Sequence, residues 1–205
     1  MRPALVAGVL LALACGGAPT TDVQTRSGPV QFQAGNALFV MSGAAIYPTT
    51  TLPDGGTDFG TPLEGTGFNL TIADAAWNCW DASPGPPPTT INALNWEVIR
   101  LNTGTVPTGS YAAVSAFDPA NPVGSTGGGY AERRGACLSR HEVLGGGTVS
   151  IDHLDDQTAQ GSVTVTLDDG TRIEGPFVAR RCDFIGLQIA MASEGALPLP
   201  PCTSP

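Results

Sequence analysis

Apolar and polar residues alternate in short runs along most of this chain, and turn-forming residues bracket each run. Within residues 67–73, Phe68, Leu70 and Ile72 fall on one side while Asn69 and Thr71 fall on the other. A period of two marks a strand with one buried face. Residues 91–101 repeat the pattern, with Leu94, Trp96, Val98 and Arg100 sharing a face, which makes Trp96 a core anchor. Residues 37–47 and 110–117 are two further predicted strands.

The C-terminal half is the most regular. Residues 147–154, 161–167 and 171–178 are strand runs separated by Asp-Asp-Gln and Asp-Asp-Gly. In the middle run Val163, Val165 and Leu167 alternate with Ser162, Thr164 and Thr166. Asp169-Gly170 signals a tight hairpin, because glycine takes the positive φ that such turns need. A further hairpin is expected between residues 136–143 and the run from Gly147, turning at Gly145-Gly146-Gly147, and residues 184–192 read as a closing strand. No long run shows a 3.6-residue period. The expected fold is all-β: a single antiparallel β-sandwich or barrel-like domain.

The N-terminus has a different texture. Arg2 is followed by an apolar run over residues 4–13, then Ala14, Cys15 and Gly16-Gly17. A run of about ten apolar residues suits a secretory leader and is half of what a membrane-spanning helix needs. A small residue before a cysteine resembles the site at which bacterial lipoproteins are cut and acylated. This predicts a signal peptide at residues 1–14 and lipid on Cys15, with several acyl chains holding the protein on a membrane. Gly16 after the cysteine, where Asp would retain a Gram-negative lipoprotein at the inner membrane, resembles the signal for transfer to the outer membrane. Residues 15–29 offer almost nothing to bury and read as a flexible linker. Residues 30–205 then form the all-β domain. The Pro-rich stretch 83–90 is read as a loop within it.

Composition narrows the function classes. Losing Arg2 with the leader leaves 8 Arg, no Lys and 18 acidic residues, a net charge of −10. Such a chain lacks the clustered positive charge that nucleic acid requires. Its two basic doublets, Arg133-Arg134 and Arg180-Arg181, read as strand-end charges. Beyond Cys15, the four cysteines Cys79, Cys137, Cys182 and Cys202 imply two disulfides in an oxidising compartment. Three connectivities are open, and the one favoured is Cys79 with Cys182 and Cys137 with Cys202. Their wide spacing does not suit zinc.

Candidate chemistry is sparse. The sequence has no GxSxG, no P-loop and no HExxH. Ser125 in VGSTGGG reads as part of a Gly-rich loop over residues 124–129, and His141 and His153 as outward-facing strand residues. Asp54, Asp58, Asp152, Asp155 and Asp156 read as turn formers, since the twelve-residue calcium loop is missing. No cofactor or metal is expected. Trp77-Asn78-Cys79-Trp80 is the local oddity: two indoles beside a cysteine could stack on a sugar or shield a disulfide.

Residues 136–182, from ACLSRHEVLGGGTVSIDHL through GSVTVTLDDGTRIEGPFVARRC, together with LTIADAAWNC (70–79) and GSYAAV (109–114), carry a family resemblance. They are similar to the cysteine-bounded strand repeats of uncharacterised lipoproteins of GC-rich Gram-negative soil bacteria. That resemblance implies a lipid-anchored β-sandwich ectodomain in the cell envelope and brings no activity with it. The expected role is a non-enzymatic cell-envelope lipoprotein, structural or interacting, whose protein or glycan partner the sequence leaves unknown. The alternative is a small-molecule or carbohydrate-binding module using Trp77 and Trp80.

Overall fold

The computed structural model describes residues 19–46, 49–51, 57–59, 63–75, 90–102, 104–115, 122–134 and 137–182. All regular structure among them is strand: β1 (Val23–Ser27), β2 (Gln33–Ala34), β3 (Asn36–Ile46), β4 (Thr49–Thr51), β5 (Thr57–Phe59), β6 (Leu63–Ala73), β7 (Thr90–Leu101), β8 (Gly109–Ala112), β9 (Val123–Arg134), β10 (Cys137–Leu154), β11 (Thr158–Leu167) and β12 (Arg172–Arg181). Seven of these close into a barrel in the order β3-β6-β7-β9-β10-β11-β12, with β12 returning to β3. The architecture is therefore a closed barrel rather than two stacked sheets. Its wall is not wholly antiparallel either, because β12 meets β3 in parallel through residues 179–181 and 37–39.

Side-chain alternation explains why these segments form the wall. Phe68, Leu70 and Ile72 of β6 stand directly opposite Val98, Trp96 and Leu94 of β7, and all six are buried inside. Val163, Val165 and Leu167 of β11 are buried while Thr164 and Thr166 are exposed, as the alternation requires. A seven-stranded barrel is narrow enough for its own side chains to fill. The ring centroids of Phe39 and Phe68 lie 5.3 Å apart, those of Phe68 and Trp96 6.5 Å, and those of Trp96 and Tyr111 5.9 Å. Such pairs contribute about 0.5–1.5 kcal/mol each beyond their burial. The Trp96 indole N–H donates to Ser125 Oγ at 3.0 Å and to the Ala112 carbonyl at 3.2 Å, so its polar atom enters the core partnered.

Four expectations give way here. The linker expected to span residues 15–29 contains β1, which pairs with β12 and buries Val23 completely. Beyond it, the 28–32 loop returns Val30 and Phe32 to the core, with the Val30 N–H donating to Thr171 Oγ1. Residues 145–147 make no hairpin: β10 runs unbroken from Cys137 to Leu154 and bends at a bulge there. Gly147 takes φ +107°, and a Cβ on it would sit 2.1 Å from the Thr164 carbonyl oxygen. The glycines serve a close crossing rather than a turn. The Gly-rich stretch 124–129 is likewise strand β9, where Gly128 passes so near β7 that a Cβ would lie 2.1 Å from the Asn95 carbonyl oxygen. Finally, the expected strand at 110–117 is cut to the four residues of β8; Phe117 lies outside the described residues.

The wall is shared at two places. One edge of β12 pairs with β1 at residues 172–174 and with β3 at 179–181. One edge of β10 pairs with β9 at 137–143 and with β8 at 148–151. Each time a short strand fills the edge that the long strand leaves open.

The β11–β12 hairpin turns at Asp169-Gly170, and Gly170 has φ +83°. Because Val165 is 1% exposed and Thr164 points outward, Val165→Asp is expected to bury an unpaired carboxylate and cost several kcal/mol. Thr164→Asp should stay within about 0.5 kcal/mol of the parent. Thermal melts of the two variants check this register, and equal losses would contradict it.

Candidate functional site

The densest polar constellation among the described residues lies at the end of the barrel where β6 and β9 finish and β7 and β10 begin. Asp74, just past β6, accepts from the Asn92 backbone N–H at 3.0 Å and from Asn92 Nδ2 at 2.6 Å. Asn92 Oδ1 in turn accepts from Arg134 Nη1 at 3.0 Å, and Arg134 Nη2 lies 3.3 Å from Glu132 Oε2. Glu132 Oε1 accepts the Tyr130 hydroxyl at 3.1 Å. Strand register makes the chain of contacts, since Asn92 is directly opposite Glu132 and Leu94 opposite Tyr130. Burial raises the Tyr130 phenol well above its ordinary 10.0, and the neighbouring charges of Glu132 and Asp74 raise it further. Tyr130 is thus a fixed hydrogen-bond donor, edge-on to Phe32 at 5.5 Å.

A second group adjoins it. Arg140 lies 3.1 Å from Glu142 and also pairs with Asp169 in the β11–β12 turn. Burial pushes the Asp169 carboxyl up, but hydrogen bonds from Thr171 and the Arg140 guanidinium outweigh it and hold it below its ordinary 3.8. These groups satisfy one another. Such an arrangement locks strand ends and orients no nucleophile toward a base.

On the outer wall, Glu97 accepts from Asn69 Nδ2 at 3.0 Å and from Thr126 Oγ1 at 2.8 Å, and Thr71 Oγ1 donates to Asn95 Oδ1 at 2.8 Å. Thr126 is the extra residue of a bulge opposite Glu97. Asn95 Nδ2 is buried without a partner. Alternation alone placed these polar residues outward; that Thr71 is nonetheless buried, at 6% exposure, departs from the one-sided sheet expected.

Ser125, expected in a loop, is a buried strand residue. Its hydroxyl accepts from Trp96 and from the Gly127 N–H and donates to the Glu97 carbonyl, so it is a structural hub. His141 and His153 are exposed as expected, and His153 Nε2 lies 2.9 Å from Asp155. Asp155 caps the β10–β11 turn by accepting from the Gln157 and Thr158 N–H groups, and the first of these contributes most to depressing its pKa. Asp152 is exposed on β10 and Asp156 lies in that same turn. No group of three or more His, Cys, Asp or Glu able to hold a metal occurs among the described residues. Cys137 opens β10, while Cys182 follows β12 beside the β10–β11 turn, where the Arg181 N–H donates to the Gln157 carbonyl. Standing at opposite ends of an eighteen-residue strand, the two cannot bridge each other, because a disulfide needs Cα atoms within about 7 Å. Cys15, Trp77, Cys79, Trp80, Cys202, Asp54 and the strand expected at 184–192 lie outside the described residues. Asp58 falls in β5, which pairs with β4 alone.

No family model, curated protein or solved structure matches this chain.

The depressed carboxyl of Asp169 has a pH consequence. Its contribution to stability is fully present above the unfolded-state value of 3.8 and is lost as pH falls through the lower folded-state value. Melting temperatures measured between about pH 5 and pH 3 are expected to fall more steeply for the parent than for Asp169→Asn. Equal slopes would show that the Arg140–Asp169 pair carries no linkage.

Proposed function

We propose that this chain is a non-enzymatic lipoprotein of the cell envelope, attached to the outer membrane through lipid on Cys15, whose barrel has a structural or interaction role. The filled barrel interior is the observation that most supports this reading. Trp96 packs against Phe68 inside it, and Phe39, Phe68 and Phe177 are fully buried, so large aromatic side chains fill much of the described interior and the outer surface is what a partner would meet. The paired charges at the Asp74 end fit the same reading, since each acid and base there is engaged in holding strands. The alternative of a carbohydrate-binding module would place its ligand on Trp77 and Trp80 and rests on the sequence alone.

Lipid attachment is tested with labelled palmitate. The parent is expected to take up label and sediment with membranes, and Cys15→Ala to do neither. Equal labelling of both would remove the anchor from the proposal.

We also propose two disulfides. Since Cys137 and Cys182 stand at opposite ends of the barrel, each takes its partner from Cys79 and Cys202, and two of the three connectivities remain. Titration of the denatured, unreduced mature protein is expected to find almost no free thiol. Peptide mapping should find no 137–182 link, and four reactive thiols would overturn the reading.

A further inference from the structure

The join that closes the wall leaves part of β3 behind. β3 pairs with β6 along its whole length, from Asn36 opposite Ala73 to Ile46 opposite Leu63, without a bulge. On its other side it meets β12 only at residues 37–39. Among the described residues no strand pairs with that side over residues 40–46. The direction of the main-chain groups there follows from the last bond of the join, in which the Cys182 N–H donates to the Phe39 carbonyl at 2.8 Å. Main-chain groups alternate along a strand, so Met41, Gly43 and Ala45 turn their N–H and C=O to the same side as Phe39. An edge of this kind is a template for another strand.

We propose that residues 40–46 of β3 are a self-pairing edge that joins two copies of this chain, antiparallel, about a two-fold axis at Gly43. Gly43 is the midpoint of the free stretch, so this register sets Gly43 against its own copy and Met41 against Ala45 of the partner subunit, and every unpaired group of the three finds a mate. The axis has room: Ser42 and Gly43 are exposed, and a Cβ on Gly43 would meet nothing within 4 Å. Charge does not oppose the pairing either. The stretch reads VMSGAAI, with no charged residue and no proline, and the facing residues 63–69 of β6 hold one acid, Glu64. With the two β3 strands paired, the two β6 strands lie three spacings apart, roughly 14 Å, beyond the screening length of about 8 Å at physiological salt. A second stretch left by its neighbour, residues 138–142 of β10 beyond the reach of β11, is guarded instead: it carries Arg140, His141 and Glu142, and Arg140 pairs across the gap with Asp169. Charges keep edges apart, and β3 has none. The two-fold pairing uses the same stretch on both copies, so it closes at a dimer. It gives the interaction role proposed above its partner, and because none of its groups involves Cys15, the palmitate test and the one below can fail separately.

The mature protein is followed by sedimentation and by residue-resolved amide exchange from dilute to millimolar concentration. The apparent mass is expected to double, and the amides of Met41, Gly43 and Ala45 to gain protection over the same range, while those of Val40, Ser42 and Ala44, turned toward β6, stay protected throughout. Gly43→Pro removes a donor from the free side alone and should stay monomeric with the Val163 and Val165 signals of the core in place; Gly43→Ala should dimerise as the parent does. The exchange pattern of the parent decides the matter even if Gly43→Pro fails to fold. A monomer at every concentration, a dimer in which Met41, Gly43 and Ala45 still exchange freely, or protection of those three in the dilute monomer by the chain beyond Cys182 would each overturn the proposal.

Discussion

Closure of the wall at β12 is the constraint on which the other features depend. A seven-stranded sheet left open would expose two long edges and an apolar face; joined through β12 to both β11 and β3, it leaves no wall strand with an edge free from end to end and turns the apolar face inward. The join is short, three residues in parallel, and it would leave the first half of β12 unpaired on that side. β1 fills this gap, and Thr21 extends it, its hydroxyl donating to the Val178 carbonyl and accepting from the Val178 N–H. The N-terminal segment is therefore part of the wall. With the wall closed, the inward residues are forced into one small volume, and the aromatic stack from Phe39 through Phe68 and Trp96 to Tyr111 follows.

The two shared edges show how a narrow barrel accommodates strands of unequal length. β10 has eighteen residues, too many for any single neighbour on its β9 side. It bends at its glycines, and β8 continues the ladder where β9 leaves. Ser125, Trp96 and the Ala112 carbonyl meet at that exchange. A polar triad inside an apolar core is tolerable because every member is bonded, and it fixes the place at which β8 docks.

Local chemistry was legible in the sequence and long-range chemistry was not. The β6 and β7 alternation, Trp96 as an anchor and the Asp169-Gly170 turn all follow from residues within a few positions of one another. The glycines of 124–129 and 145–147 misled because glycine breaks ladders when nothing compensates, whereas here Gly128 and Gly147 allow neighbouring backbones to approach more closely than a Cβ permits. β1 was hidden because Val23 is a single apolar residue among polar ones, and its burial depends on an edge of β12 about 150 positions away. The Asp74–Asn92–Arg134–Glu132 chain was invisible for the same reason: Asp and Asn near strand ends look like turn formers until register sets them in line.

The position of β1 also bears on how the molecule would stand in the envelope. Thr21, already bonded to β12, is six residues from Cys15, no more than about 21 Å of fully extended backbone. β1 runs antiparallel to β12, so its direction is opposite to that of the strand it covers. With Cys15 acylated as proposed, the leash is shorter than the wall strands are long. The barrel would be held close against the bilayer instead of swinging freely from it.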